Sequence, residues 1–282
     1  MIGKELKKQN KVTMNKKYLF LTLLITSLCL PANSAQQYIQ KVHEQQKLQA
    51  AHKTQVNKAA NTSKPNKKEQ EPVYYGTILP VVNGDCEKYY QEALKQIDEN
   101  NLYGAQTNLS KALEINHDFV KAIKKRGFVR NRLGNYNGAI QDFNNAIILD
   151  SSDGDLFYGR GFAKLALQNY PEAVNDFAKA IKLNPNDLEA YHQRGYAYSL
   201  WGKSTGTQML FDNAIWNFNK VLSSNPNYTE ARLYRGMALC EQGKMEAGLK
   251  DIQQAMAEYK NSGDNAAYQR SVQIYNWIKQ DY

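Results

Sequence analysis

From Gly154 to Asp187 the apolar residues recur with helical rather than strand spacing, and polar residues fill the intervening face. The stretch reads as two amphipathic helices, broken at Gln168-Asn169-Tyr170-Pro171 and closed by Asn184-Pro185-Asn186. The same pattern returns along the chain. Gly127, Gly161 and Gly195 lie 34 residues apart, as do Tyr136 and Tyr170, Ala139 and Ala173, Phe143 and Phe177, and Ala146 and Ala180. A fixed period of this length means that one helical pair is copied and stacked, each copy burying its apolar face on its neighbours.

Five copies are predicted, at 86–118, 119–152, 153–186, 187–227 and 228–262. The first is divergent, with Ala93 where the others have Gly and Glu92 where they have Arg. In the fourth, Tyr191, Arg194 and Gly195 keep register, but Ala214, Phe218 and Val221 arrive 41 rather than 34 residues after Ala173, Phe177 and Ala180. The seven added residues fall at 203–209, where Lys203-Ser204-Thr205-Gly206-Thr207-Gln208 has loop composition, so a longer turn between the two helices is expected. Two extra helical turns would keep the faces aligned equally well. Residues 263–282 predict one more helix, with Ala267, Ser271, Ile274 and Ile278 on its buried stripe and Gln269, Gln273 and Lys279 on a wet side, as a cap requires.

These residues carry a resemblance to the tetratricopeptide-repeat family: Phe157 and Tyr191, the glycines at 127, 161, 195 and 236, Tyr136 and Tyr170, Ala139, Ala173 and Ala214, Phe143, Phe177 and Phe218, Ala146, Ala180 and Ala255, and Pro185 and Pro226. The resemblance covers residues 86–282 and implies an all-α, right-handed solenoid whose concave face, lined by the first helices, binds peptides or proteins. Some members of the family grip a partner's C-terminal carboxylate with Lys, Asn and Arg. Phe128 and Phe162 stand where that set wants Asn, so this specificity is not carried over.

Ahead of the repeats the pattern changes. Lys16-Lys17, the 13-residue apolar run Tyr18–Leu30 and Pro31–Ala35 have the order of a secretory signal peptide, and the run is short for a membrane span. Residues 1–35 are therefore expected to direct export to the periplasm, cell envelope or medium, with an uncleaved signal anchor as the alternative. Residues 36–71 read as a polar, partly disordered spacer, and 72–85, carrying Pro72, Gly76 and Pro80, as an extended apolar segment laid on the first repeat. The net charge of +9 belongs to this part: residues 1–72 hold 13 Lys+Arg against 4 Asp+Glu, leaving 23 of each afterwards. A basic nucleic-acid surface on the repeats is therefore not supported, and no nucleic-acid partner is expected.

Within the array, Arg126, Arg160, Arg194 and Arg235 each precede the repeat glycine, and Asp142, Asp176 and Asp251 precede the second-helix Phe or Ile. Their joint occurrence predicts ion pairs between the helices of a repeat. The side of each first helix away from its partner predicts the groove: Lys121, Lys124, Phe128, Asn131 and Arg132; Tyr158, Phe162 and Leu165; His192, Tyr196 and Ser199; Leu233, Met237 and Cys240. This face is aromatic in its middle and basic toward its N-terminal end, which fits a peptide with apolar anchors and an acidic end. Cys86 and Cys240, in the first and last repeats, are too far apart to bridge; Cys240 reads as a packing residue and Cys86 as the more reactive thiol. No catalytic constellation, metal-ligand spacing or phosphate loop is present, and no cofactor is expected. The expected function is a non-catalytic scaffold for a protein or peptide partner, the alternative being an envelope assembly protein tethered by its leader.

Overall fold

The computed structural model describes residues 83–281, and these form eleven α-helices with no strand among them. In chain order they are α1 Asn83–Asp98, α2 Leu102–Ile115, α3 Val120–Arg132, α4 Tyr136–Leu149, α5 Gly154–Ala166, α6 Tyr170–Leu183, α7 Leu188–Thr205, α8 Gln208–Ser224, α9 Thr229–Glu241, α10 Met245–Ser262 and α11 Asn265–Asp281. Residues 83–85, expected to belong to the extended segment, are instead the first turn of α1. The leader, the spacer and the rest of the 72–85 segment lie outside the described residues.

The punctuation of each repeat is local chemistry. Second helices start at Asn101, Asn135 and Asn169; Asn101 and Asn135 accept a hydrogen bond from the backbone N–H of Gly104 and Gly138, both at 3.1 Å. Asn169 makes no such bond, and Pro171 presets the first turn of α6 instead. Between repeats, Asn116, Asp150, Asn184 and Asn225 each leave the helix in an extended conformation and accept from the backbone two residues on, at 3.1, 2.9, 3.3 and 3.1 Å. The turns within repeats need a left-handed residue; Gly134, Gly206 and Gly243 supply it without strain, but Asn100 and Gln168 hold it at φ 59° and 63° with side chains.

The core repeats with the sequence. Phe143, Phe177 and Phe218 are fully buried, as are Ala139, Ala173 and Ala214. A Cβ on Gly127, Gly161 or Gly195 would sit 2.9–3.0 Å from the ring of Phe143, Phe177 or Phe218, so glycine lets each first helix close on its partner. In the fifth repeat the approach is closer still, a Cβ on Gly236 falling 2.7 Å from the carbonyl of Gly248. Each helix packs on the next, and α3 with α5, α5 with α7 and α7 with α9 also meet directly. The first helices that touch each other form one continuous face of the array, its inner face, with the second helices on the other side.

The fourth repeat departs from the expected turn. Helices α7 and α8 have 18 and 17 residues where α5 and α6 have 13 and 14, and only Gly206 and Thr207 separate them. The added length is thus taken up by helix on both sides of a Gly206-Thr207 turn, and the residues that follow it find cover: Leu210 and Phe211 are buried, and the Phe211 ring lies 3.1 Å from where a Gly202 Cβ would be, although Met209 is exposed. The extension also braces the C-terminal helices. Lys203 reaches Glu241 at the end of α9 at 3.0 Å and lies over the Trp277 ring of α11 at 5.3 Å. Helix α11 buries Ala267, Ser271, Ile274 and Ile278 and closes the array as the sequence predicts.

Cys86 and Cys240 remain thiols in α1 and α9, and both are buried. Burial pushes the Cys240 thiol up to about 11, in keeping with a packing role. The expectation of a reactive Cys86 is corrected, since only 4% of the residue is exposed.

Candidate interaction groove

The inner face gathers some of the predicted groove residues and withdraws others. Lys121 on α3 is exposed, and so is Arg132, which donates to Asn100 Oδ1 at 2.8 Å. Phe128 is half-buried, edge-on to Phe143 with ring centres 5.1 Å apart. Tyr158 and Phe162 on α5 and Tyr196 on α7 are half-buried in one apolar cluster, an aromatic patch shared by two repeats. Tyr196 continues it to Tyr234 of α9, with ring centres 4.9 Å apart, and Met237 is half-buried against the C-terminal core.

Asn131 and His192 do not face the groove. Asn131 is 6% exposed and donates through Nδ2 to the carbonyl of Gly159 at 2.8 Å, tying α3 to α5. His192 is 2% exposed, ringed by Phe218, Tyr228 and Tyr234 at 5.2–5.7 Å. Burial without a hydrogen-bond partner on either ring nitrogen holds its imidazole well below the ordinary value, at about 4, with Glu189 pulling weakly the other way. The predicted Leu165, Leu233 and Cys240 are likewise buried, and Ser199 turns its hydroxyl to the carbonyl of Gly195 at 3.2 Å. Asn131 and His192 meet the next first helix, through Gly159 and Tyr234, because consecutive first helices touch, and the Cys240 sulfur lies against Gly248 of α10 in its own repeat.

The electrostatics differ from the basic-to-aromatic gradient read from the sequence. Lys124 is held by Asp153 at 2.7 Å and Asp155 at 3.1 Å, which together offset the desolvation of its ammonium. One of the charges counted on for an acidic partner end is therefore already matched, and Lys121 and Arg132 remain exposed without a carboxylate among the described residues. Further along, Glu189 accepts from Tyr158 at 3.4 Å, from Gln193 at 2.8 Å and from the Tyr228 hydroxyl, joining three repeats. Burial and the adjacent carboxylate raise both phenols. Glu230, half-buried on α9, is raised by burial and by the negative charge of Glu189. Glu189 and Glu230 were missed in the sequence, yet they occupy the column of Lys121, first-turn positions that recur as Glu87, Lys121, Asp155, Glu189 and Glu230.

The ion pairs inferred between helices are present. Arg126, Arg160 and Arg235 each hold both oxygens of Asp142, Asp176 and Asp251 through Nε and Nη2, at 2.6–3.1 Å. Asp142 and Asp176 each take a second cation, Arg130 at 2.8 Å and Lys164 at 2.6 Å. No group of His, Cys, Asp and Glu able to hold a metal ion occurs among the described residues.

Known proteins place this geometry. A family model described as TPR repeat matches residues 163–202. No curated protein is significantly similar in sequence. Among solved structures, the chain resembles the MamA protein at TM-score 0.56 and 22% identity, over 65% of this chain and 97% of that one. It resembles YrrB, described as a TPR protein with an unusual peptide-binding site, at TM-score 0.55 and 24% identity, over 68% and 94%. A tetratricopeptide repeat protein from Parabacteroides merdae ATCC 43184 aligns at TM-score 0.59 and 18% identity, over 70% and 74%. The period, the family match over residues 163–202 and the shared fold agree: the described residues form an all-α solenoid of helical pairs, similar in fold to tetratricopeptide-repeat proteins.

Proposed function

We propose that the protein is a non-catalytic interaction scaffold which holds a peptide or protein partner along the inner face of its first helices. The aromatic patch of Tyr158, Phe162 and Tyr196 carries this reading, because half-buried aromatics contributed by successive repeats form a surface that an apolar side chain can cover. YrrB, of the same fold, is described as having a peptide-binding site. With Lys124 matched by Asp153 and Asp155, the partner chosen by this face is held chiefly by apolar anchors, and Lys121 and Arg132 are the cations left for an acidic end. The signal-like order of residues 16–35 supports a place in the cell envelope or outside it, either free or tethered by that segment. Cross-linking in cells, followed by mass spectrometry, tests the groove with the Phe162→Ala, Tyr196→Ala double variant. Its partners should fall away; unchanged capture by a variant whose circular dichroism is that of the wild type would contradict the proposal. N-terminal sequencing of the cell-associated protein tests the location, an intact leader in soluble cytoplasm being the contrary result.

A further inference from the structure

Four arginines stand at equivalent positions, and one of them is left open. Arg126, Arg160 and Arg235 each give Nε and Nη2 to a carboxylate, and each gives Nη1 to the preceding repeat: Ser110 at 3.3 Å, Asn144 at 2.7 Å and Asn219 at 2.8 Å. In all three every guanidinium nitrogen has an acceptor. Arg194 has neither set. The carboxylate is replaced by Asn217, whose Oδ1 takes only Nε, at 2.9 Å, and whose Nδ2 is tied to the carbonyl of Asn213 at 2.7 Å. The position corresponding to Ser110 and Asn144 is Ala178, which has no acceptor.

Both Nη groups of Arg194 are thus without an acceptor among the described residues, and they are not sealed from solvent. The group is nonetheless rigidly held. It lies over the rings of Tyr191 and Trp216, 5.5 and 5.8 Å from their centres. Trp216 is 50% exposed, and the ammonium of Lys220 stands 5.6 Å from its ring. A guanidinium cannot shed its proton, and its fork is built for two oxygens of one oxyanion. The three sister sites show what this position takes when occupied: a carboxylate.

We propose that Arg194, Trp216 and Lys220 form a second binding site, away from the inner groove, that receives an Asp or Glu side chain of a partner protein with an apolar neighbour laid on Trp216. The fork orients the carboxylate, Lys220 adds a second positive charge, and the exposed indole supplies apolar area beside it. The chain's own N-terminal part is a poor occupant by charge, since residues 1–72 carry only four acidic residues against 13 basic ones. The site does not depend on the groove proposal, because it lies on the side of α7 that meets α8 rather than the side that meets the neighbouring first helices.

The test uses the full-length chain and a blocked peptide, acetyl-Glu-Leu-Glu-Leu-amide, with its Gln counterpart and inorganic phosphate as separate arms. The readout is the Trp216 indole N–H resonance, assigned with Trp216→Phe. The Glu peptide should shift it saturably, the Gln peptide and phosphate should bind at least about threefold more weakly, and Phe162→Ala should change nothing. Asn217→Asp supplies the missing carboxylate from within, and should weaken peptide binding about tenfold, with a loss under about threefold overturning the site. Arg194→Lys, which keeps the charge and removes the fork, should do the same and stands in if Asn217→Asp is poorly folded. The absence of a saturable shift overturns the proposal, and phosphate binding as tightly as the Glu peptide would assign a simple anion site and reject a protein partner.

Discussion

The third and fourth repeats share their glycine, aromatic and alanine columns, yet they solve the same electrostatic problem in opposite ways. In the third, Asp176 is 5% exposed and draws in both Arg160 and Lys164, so the carboxylate is the hub of a closed cluster. In the fourth, Asn217 is buried at the same place, and Arg194 keeps one hydrogen bond and two aromatic faces. The helices pair equally well in both. Packing of Phe177 on Gly161 and of Phe218 on Gly195 therefore suffices to build a repeat, and the ion pair is an addition that one copy has exchanged for an open guanidinium. A repeat's core and its charge pattern can thus change independently, which leaves the irregular copy free for recognition.

The largest expected effect breaks the closed side. Asp176→Ala should cost about 2–3 kcal/mol in urea unfolding, less than a fully buried pair because Arg160 keeps 18% of its side-chain surface in water. An unchanged midpoint would show the cluster to be decorative. The next effect belongs to the fourth repeat. His192 titrates near 4 when folded and near 6.5 when unfolded, so the unfolded chain binds the proton first as the pH falls. Its contribution is complete above about pH 6.5 and is lost through the window down to about 4. His192→Phe should remove that part of the acid sensitivity, read as a flatter dependence of stability on pH; a parallel curve would place the imidazole in water. Smaller again, Asn217→Asp should raise stability by about 1 kcal/mol, since it gives Arg194 the fork partner of its sisters at the cost of the bond to Asn213. The smallest effect lies in the turn of the third repeat, where Gln168→Gly should gain about 0.5 kcal/mol by relieving a left-handed backbone that already has φ 63°. The equivalent Gly134→Ala in the second repeat should lose a similar amount, and equal signs for the two would reject the strain.

Much of this was legible in the sequence because it recurs. The columns at Gly127, Phe143 and Ala146 and the paired Arg126 and Asp142 identify themselves by spacing, and the cap helix by its stripe from Ala267 to Ile278. What was missed is what does not recur. The composition of residues 203–208 resembles a longer turn, and the choice of helix extension with only Gly206 and Thr207 left as turn goes with the cover found by Leu210 and Phe211. Asn131 and His192 lie on the helix face that periodicity selects, but a single helix does not reveal how close the next one comes. Glu189 gathers Tyr158, Gln193 and Tyr228 from three repeats, a constellation that no window of one repeat contains.

The contrast between the closed and open arginine sites is tested most directly by exchanging them. Asp176→Asn turns the third repeat into the likeness of the fourth, and Asn217→Asp does the reverse, each measured by urea unfolding at neutral pH and low salt. The two variants should move the midpoint in opposite directions, downward for Asp176→Asn and upward for Asn217→Asp, and salt at about 1 M should shrink both shifts. Shifts of the same sign, or none from either exchange, would contradict the claim that the fourth repeat differs from the third by an unmatched guanidinium.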